Sequence, residues 1–277
     1  MVSEEDERAW QRRLETVLFP GVEGWFQRVT RPPVTPVAGS SLARDDEAYP
    51  NLPASHVAYG GMVTAVEHLE FFRMSFLSTG GKQPPAAYFT VLRTALMGVA
   101  QALWVLKPPA RLTRVEHALI IARDDLRQRK GLLSVQLPDH LGLGDDVDKE
   151  RARLDRYLAE LQAAATTAGL DASKVPGWRL LMTEVITQVS DLVFADDGNE
   201  DTRYGVAMLW RWHSGHAHAT PSARIRHIDR QHLQRNADGA LTGSATSSIS
   251  EVGTAAAAIV LWLNEAWRIY DLLCAAA

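Results

Sequence analysis

The sequence contains a single cysteine, Cys274, so it cannot form an intramolecular disulfide bond. A lone thiol also excludes the structural zinc sites that are built from several cysteines. The chain has no glycine-rich phosphate loop, no nucleophile elbow, no His-Glu-x-x-His string and no EF-hand loop. These absences exclude P-loop enzymes, hydrolases of the elbow type, the commonest zinc proteases and EF-hand proteins.

A strong net charge and a long apolar run are also missing. The net charge of -4 and the pI near 6.1 argue against a generally basic surface that coats nucleic acid. The longest uncharged apolar run, residues 252–263, is too short for a membrane span. Residues 3–8 are acidic, unlike the start of a signal peptide. We therefore expect no membrane contact and a cytoplasmic location, which the low cysteine content also fits.

What the sequence does contain is helical spacing along most of its length. Apolar residues recur every three or four positions in 57–76, 112–130, 147–167 and 247–274. Residues 86–106 are apolar nearly all round, which is typical of a central, buried helix. Ahead of these helices, the proline-rich residues 30–54 predict an irregular surface loop.

One stretch has the pattern of strands. Residues 222–228 alternate, residues 236–239 form a turn sequence, and residues 240–246 can return as a second strand. The sequence thus predicts an all-α protein with one domain over residues 1–277. That domain is a bundle of about eight helices with an irregular loop at 30–54 and a small β-hairpin inserted at 222–246.

Residues 208–221 hold the densest group of side chains able to bind phosphate or transfer protons. This stretch carries His213, His216 and His218, three of the nine histidines. On a helix His213 and His216 share a face, whereas His218 points away from both. No acidic residue lies within the stretch, so we expect neither a metal site nor a cofactor here.

Arg211 and His218 form the pattern with the most specific chemistry. Six residues lie between them, including Ser214 and Gly215. A guanidinium offers planar donors to a phosphate, and an imidazole transfers protons near neutral pH. His218, with His216 beside it, would act on the 2′-hydroxyl or the leaving oxygen of RNA, while Arg211 stabilises the phosphorane. The alternative is an arginine on a solvated helix face and a histidine favoured by the helix dipole.

Segments 88–96, 103–108, 209–218 and 267–271 resemble a group of uncharacterised helical proteins of high-GC bacteria. These are in turn similar to the HEPN (higher eukaryotes and prokaryotes nucleotide-binding) superfamily, whose signature is an arginine followed four to six residues later by a histidine. Six residues separate Arg211 from His218, and four separate it from His216. The resemblance covers about residues 57–271. It implies a helical fold, RNA or nucleotide binding, RNA cleavage in many members, and often a homodimer with Arg/His pairs meeting at its interface.

Two positions depart from the pattern of that superfamily. The residue after the arginine is commonly polar in active members, whereas here it is Trp212. In relatives the arginine corresponding to Arg93 pairs with a glutamate one turn later, and this chain has Met97 there. Arg93 must therefore find another acceptor, reach solvent or bind phosphate.

Arg224 and Arg226 belong to a basic run that follows the motif. On a strand they would share one face and could hold a polyanion. The alternative is a charged hairpin edge that resists aggregation.

The sequence as a whole predicts an RNA- or nucleotide-binding protein that cleaves RNA without a metal. The predicted catalytic residues are Arg211, His218 and His216, and the predicted phosphate-binding residues are Arg93, Ser214, Arg224 and Arg226. The alternative is a non-catalytic helical interaction or scaffold protein.

Overall fold

Helices form most of the protein, as the apolar spacing predicts. The computed structural model describes residues 3–81, 84, 86–135, 142–195, 200–228, 233–243 and 247–276. The α-helices in these residues are α1 (Glu4–Arg13), α2 (Phe19–Val29), α3 (Ser41–Asp46), α4 (Ala54–Ser78), α5 (Ala87–Leu106), α6 (Arg111–Leu132), α7 (Gly144–Thr167), α8 (Met182–Val193), α9 (Glu200–Ala217), α10 (Pro221–Ile225) and α11 (Ile249–Cys274). A π-helical turn (Leu14–Leu18) joins α1 to α2, and a 3-10 turn (Ala172–Gly177) precedes α8. The all-α class is confirmed. Short helices such as α3 and α10 raise the number of described helices above the expected number of about eight.

The start of α11 is capped by its own residues and by α1. Ser248 Oγ accepts from the Glu251 N–H at 3.1 Å, and the Glu251 carboxylate accepts from the Ser248 N–H at 3.3 Å. The Glu7 carboxylate of α1 accepts from the N–H groups of Ile249 at 2.6 Å and Ser250 at 3.2 Å. These bonds satisfy donors that a helix start leaves unpaired, and the negative charge complements the helix dipole. They fix α1 on the start of α11.

Helices α4 and α5 approach each other closely where two glycines face each other. A Cβ built on Gly61 would lie 2.5 Å from the Gly98 carbonyl oxygen, and one built on Gly98 would lie 2.6 Å from the Gly61 carbonyl oxygen. No side chain fits between backbones at this distance. The crossing therefore requires glycine on both helices, although glycine lowers helix propensity.

Helix α5 lies at the centre of the main apolar core. It contacts α4, α6, α8, α9 and α11, and its Leu92, Val99 and Leu103 are fully buried. Of the described helices, α5 alone is long and apolar enough to span a membrane by length and composition, and 67% of that stretch is buried inside the protein. The apolar sequence of 86–106 thus belongs to a central helix, as its pattern predicts.

A second, smaller apolar cluster lies between α6 and α7, around Leu119 and Leu161. Helix α3 links the two clusters. Its Leu42 is buried in the main core, and its Asp45 forms a buried ion pair with Arg114 of α6. The Arg114 Nε to Asp45 Oδ2 distance is 2.6 Å, and Nη2 to Oδ1 is 3.1 Å. Because losing either partner would leave a buried charge unpaired, this contact ties the 30–54 segment to the helices.

The predicted hairpin is confirmed in its second half only. Strands β1 (Gln234–Arg235) and β2 (Leu241–Thr242) pair antiparallel, with Gln234 opposite Thr242, around the predicted turn. The expected strand at 222–228 is wrong, because residues Pro221–Ile225 form α10. Pro221 lies in the first turn, where its fixed φ and missing N–H suit a helix start. That local signal outweighs a short alternation.

Replacing Gly98 with alanine should lower the free energy of unfolding by about 2–3 kcal/mol, because the new Cβ would overlap the backbone of α4. Gly60→Ala is the matched control on α4, since a Cβ there meets nothing within 4 Å. Its higher helix propensity should leave stability unchanged or raise it by about 1 kcal/mol. Urea denaturation followed by circular dichroism measures both. Equal stability of Gly98→Ala and wild type would contradict the close crossing.

Candidate functional site

The inner face of α9 carries a buried stripe of Val206, Trp210 and His213. The Trp210 indole N–H donates to Thr183 Oγ1 of α8 at 3.1 Å. His213, only 2% exposed, lies against Phe89 at the start of α5, with ring centroids 5.0 Å apart. The packing of α9 on α5 and α8 therefore holds an imidazole inside the core.

His216 follows one turn later and meets a second histidine. Its ring stacks on Phe89 with centroids 4.7 Å apart and an interplanar angle of 21°. Its Nε2 lies 3.0 Å from Nε2 of His227, which sits just after α10, is 8% exposed and also stacks on Phe89. Three imidazoles thus surround one phenyl ring, and two of them are hydrogen-bonded to each other.

The partners of this histidine pair assign its protons. His227 Nδ1 lies 3.9 Å from Glu251 Oε2, so the carboxylate favours a proton on that nitrogen. His227 Nε2 then accepts from a proton on His216 Nε2, because a neutral imidazole has one donor and one acceptor. This leaves a lone pair on His216 Nδ1, which is buried and has no partner among the described residues. The result is a chain from Glu251 through His227 to His216.

Burial keeps the inner histidines neutral. It lowers the pKa of His213 from 6.5 to about 3, and the positive charges that His216 and Arg93 can carry act in the same direction. Burial, followed by the neighbouring His227, also lowers the pKa of His216, while Glu251 opposes this shift. Among the described residues, neither His213 Nδ1 nor His216 Nδ1 has a hydrogen-bond partner. Both nitrogen atoms are also shielded from solvent.

These side chains border a cavity of about 190 Å³, which we call the histidine cavity. Its lining includes Phe89, Trp212, His216, Arg226, His227 and Glu251. Most of the lining surface is apolar, as is usual for pockets that bind small molecules. Its polar groups come from His213, His216, Arg226, His227, Ser250, Glu251 and Thr254.

Two arginines flank the histidine cavity. The Arg226 guanidinium stacks on Trp212, 4.1 Å from the ring centroid. Arg224 lines an adjacent cavity of about 480 Å³, together with Ala87 and Gly243. His227 belongs to both cavities and forms part of the wall between them. Since 222–228 is not a strand, the two arginines serve different cavities rather than one face.

Arg93 lies behind the histidines, on α5. Its guanidinium stacks on Trp210, 4.1 Å from the ring centroid, and its Nε is buried with no hydrogen-bond partner in the part of the chain that the structure describes. Burial lowers the pKa of Arg93, and among the described residues no carboxylate pairs with it. The cation–π contact with Trp210 therefore holds this guanidinium in place.

The other predicted site residues lie outside the histidine cavity. Arg211 and His218 are exposed, and Ser214 is half-buried. The Ser214 carbonyl accepts from the His218 N–H at 3.0 Å, a helical bond. Of the predicted site residues, the structure therefore brings only His216 and Arg226 to this cavity.

Eight of the ten residues that line the cavity were not among the predicted site residues, and they include Phe89, Trp212, His227 and Glu251. Helical spacing indicated that His213 and His216 share a face, and they do. The approach of His227 depends on α10 and the turn after it, and that of Glu251 on the position of α11. The capping box that begins with Ser248 was the one local signal that could have placed Glu251 at a helix start.

Among the described residues, no group of three or more histidine, cysteine or acidic side chains is arranged to hold a metal ion. In comparisons with known proteins, no family model, curated protein or solved structure matches the chain. The fold and site together define an all-α protein with a histidine-lined cavity between α5, α9 and α11.

Below pH 6.5 the stability of the protein should fall because of His213. The unfolded chain takes up a proton near pH 6.5, whereas the folded protein resists it until about pH 3. Stability from this residue is therefore complete above pH 6.5 and lost progressively towards pH 3. Between pH 7 and 5 the unfolding free energy should drop by about 1–2 kcal/mol on this account.

His213→Leu tests this pH dependence by urea denaturation at each pH. In the variant, the free energy of unfolding should no longer show the part of its fall below pH 6.5 that is due to His213. Leucine fills the buried position with an apolar side chain that does not titrate. His56→Leu, at an exposed position on α4, is the control and should follow wild type. Parallel curves for wild type and His213→Leu would refute a neutral, buried His213.

The C-terminal end of α9 has a strained residue next to His218. The Ala219 N–H donates to the His216 carbonyl and the Thr220 N–H to the Gly215 carbonyl, both at 3.0 Å. This is the Schellman arrangement, which places Ala219 at a φ of 52°. A residue with a Cβ is strained in that region.

Ala219→Gly should raise the free energy of unfolding by about 1 kcal/mol, because glycine adopts this φ without strain. Ala217→Gly, inside the last turn of α9, should lower it by about 0.5–1 kcal/mol. Thermal unfolding of both variants measures the difference. If both glycine variants are less stable than wild type, the left-handed conformation of Ala219 is contradicted.

Proposed function

We propose that the protein binds RNA or a nucleotide at the histidine cavity and cleaves RNA without a metal ion. The supporting observation is the hydrogen-bonded pair of His216 and His227, whose Nε2 atoms are 3.0 Å apart beside a cavity that Arg226 also lines. Imidazoles are the side chains best suited to proton transfer near neutral pH, and a guanidinium binds phosphate with planar donors.

The chemistry that fits this pair is internal transesterification of RNA. One imidazole takes the proton of the 2′-hydroxyl, and the 2′-oxygen then attacks phosphorus. The bond from phosphorus to the 5′-oxygen breaks, and the leaving oxygen takes a proton from an imidazolium. Arg226 stabilises the negative charge on the phosphorane. The products are a 2′,3′-cyclic phosphate and a 5′-hydroxyl end.

Arg211 and His218 stay a competing prediction for the same reaction. They are exposed near the end of α9, where RNA could reach them, and they do not line the histidine cavity. His216 lies close to both candidate sites, so variants at His227 and at His218 are needed to distinguish the two sites.

The second candidate function is a non-catalytic interaction protein. The observation that favours it is a group of exposed apolar side chains along α9 and α10. Tyr204 is 60% exposed, Met208 46%, Trp212 44% and Ile225 52%. Apolar side chains grouped on a surface often mark a site of contact with another protein.

Cleavage of a mixed pool of 5′-labelled single-stranded RNA in the presence of EDTA tests catalysis. Wild type should produce cyclic-phosphate ends, and His227→Ala should reduce the rate by about 100-fold or more, because general acid–base catalysis contributes that much. His56→Ala is the control and should cleave like wild type. A rate lost in His218→Ala and kept in His227→Ala would assign the reaction to the Arg211 pair. If wild type binds RNA but does not cleave it, the proposed catalysis is wrong and only the proposed binding remains.

A further inference from the structure

We infer that the histidine cavity takes an unpaired guanine base and that the carboxylate of Glu251 selects it. This inference rests on the proposed nucleotide binding and adds the identity of the base. It comes from the size of the cavity, the flat side chains around it and the kind of polar atoms that it presents.

The cavity has room for one ring system. Its volume of about 190 Å³ is below the range of about 300–1,000 Å³ that is typical of pockets for whole drug-sized ligands. Phe89, Trp212 and the imidazole of His216 line it with planar groups. Proteins that recognise unpaired bases stack them on such side chains. A base therefore fits inside, while the sugar and phosphate stay outside.

Two side chains of the lining, Glu251 and Thr254, present oxygen atoms that can accept hydrogen bonds. Glu251 Oε2 accepts from the Ser248 N–H at 3.3 Å, and Oε1 has no hydrogen-bond donor among the described residues. The Thr254 hydroxyl donates to the Ser250 carbonyl at 2.7 Å, which leaves its oxygen to accept. A ligand that matches these atoms must bring donors.

Guanine is the base whose edge suits a carboxylate. Its N1–H and N2–H₂ groups are adjacent donors, so the two oxygens of Glu251 can accept from both. Adenine and cytosine have one amino group next to a ring nitrogen that accepts, and uracil has one N–H between two carbonyls. Each of these places an acceptor against a carboxylate oxygen, which is repulsive.

Two arginines lie close to where the phosphate of the same nucleotide would be. The N–H groups at the start of α11 are already bonded to Glu7 and to Ser248, so they are not open to an anion. Arg226 flanks the histidine cavity, and Arg224 lines the adjacent one, with His227 in the wall between. A base in the first cavity would thus have its phosphate near a guanidinium.

Isothermal titration calorimetry of the full chain with GMP, AMP, CMP and UMP tests the inference. GMP should bind at least tenfold more tightly than the other three. Glu251→Gln should remove that preference by weakening GMP about 10- to 100-fold, since hydrogen bonds to a charged acceptor are lost and an amide donor faces the base donors. AMP affinity should change by less than about threefold.

The glutamine variant is chosen because it preserves the fold. Glutamine replaces glutamate in a capping box without loss of the reciprocal bonds, and circular dichroism checks this. Glu184→Gln, exposed in the first turn of α8, is the control and should bind all four nucleotides like wild type. Trp212→Ala should weaken all four about tenfold or more, because stacking does not depend on the base.

The outcomes separate this inference from the proposed function. Equal binding of the four nucleotides overturns the guanine assignment and leaves nucleotide binding in place. A GMP preference that survives in Glu251→Gln overturns the role of Glu251. If no nucleotide binds wild type, the proposed function fails together with the inference.

Discussion

The close approach of α4 and α5 at Gly61 and Gly98 is the constraint on which the site depends. Each glycine backbone occupies the space that a side chain on the other would need. This crossing fixes α5, and both α9 and α11 pack on α5. Phe89, at the start of α5, is the ring around which the histidines gather. A wider crossing would move Phe89 away from α9, and the cavity would lose its common wall.

The charged groups in the cavity lining are Glu251 and Arg226, while burial favours the neutral form of His213 and His216. The start of α11 would otherwise present unpaired N–H groups, but Glu7 and the capping box satisfy them. Burial keeps His213 uncharged, and the free guanidinium groups stack on tryptophans at the edges. An occupant of the cavity therefore meets flat surfaces, the acceptor oxygens of Glu251 and Thr254, and the guanidinium of Arg226. This division suits a ligand with a neutral ring and a charged tail.

Local signals explain which parts of the molecule the sequence could predict. The long helices follow from apolar spacing that persists over several turns, and α5, α6 and α7 begin and end within a few residues of the expected bounds. The segment 222–228 is too short for its alternation to outweigh the proline at its start. The pairing of His216 with His227, and of His227 with Glu251, joins three separate elements. No spacing rule predicts such contacts, because they depend on how α9, α10 and α11 pack.

Helix α9 and the residue that follows it contribute to two rival sites on different faces, His216 to the inner site and Arg211 with His218 to the outer one. Residues separated by seven positions return to about the same face after two turns, so Arg211 and His218 both point outward. His213 and His216 point inward, where the chain itself supplies Phe89, His227 and Glu251. The inner site is complete within one chain, whereas the outer pair is enclosed only if another chain covers it. The specific activity of the inner site, expressed per molecule of protein, should therefore not depend on protein concentration. The specific activity of the outer pair should rise with protein concentration if the pair acts across an interface.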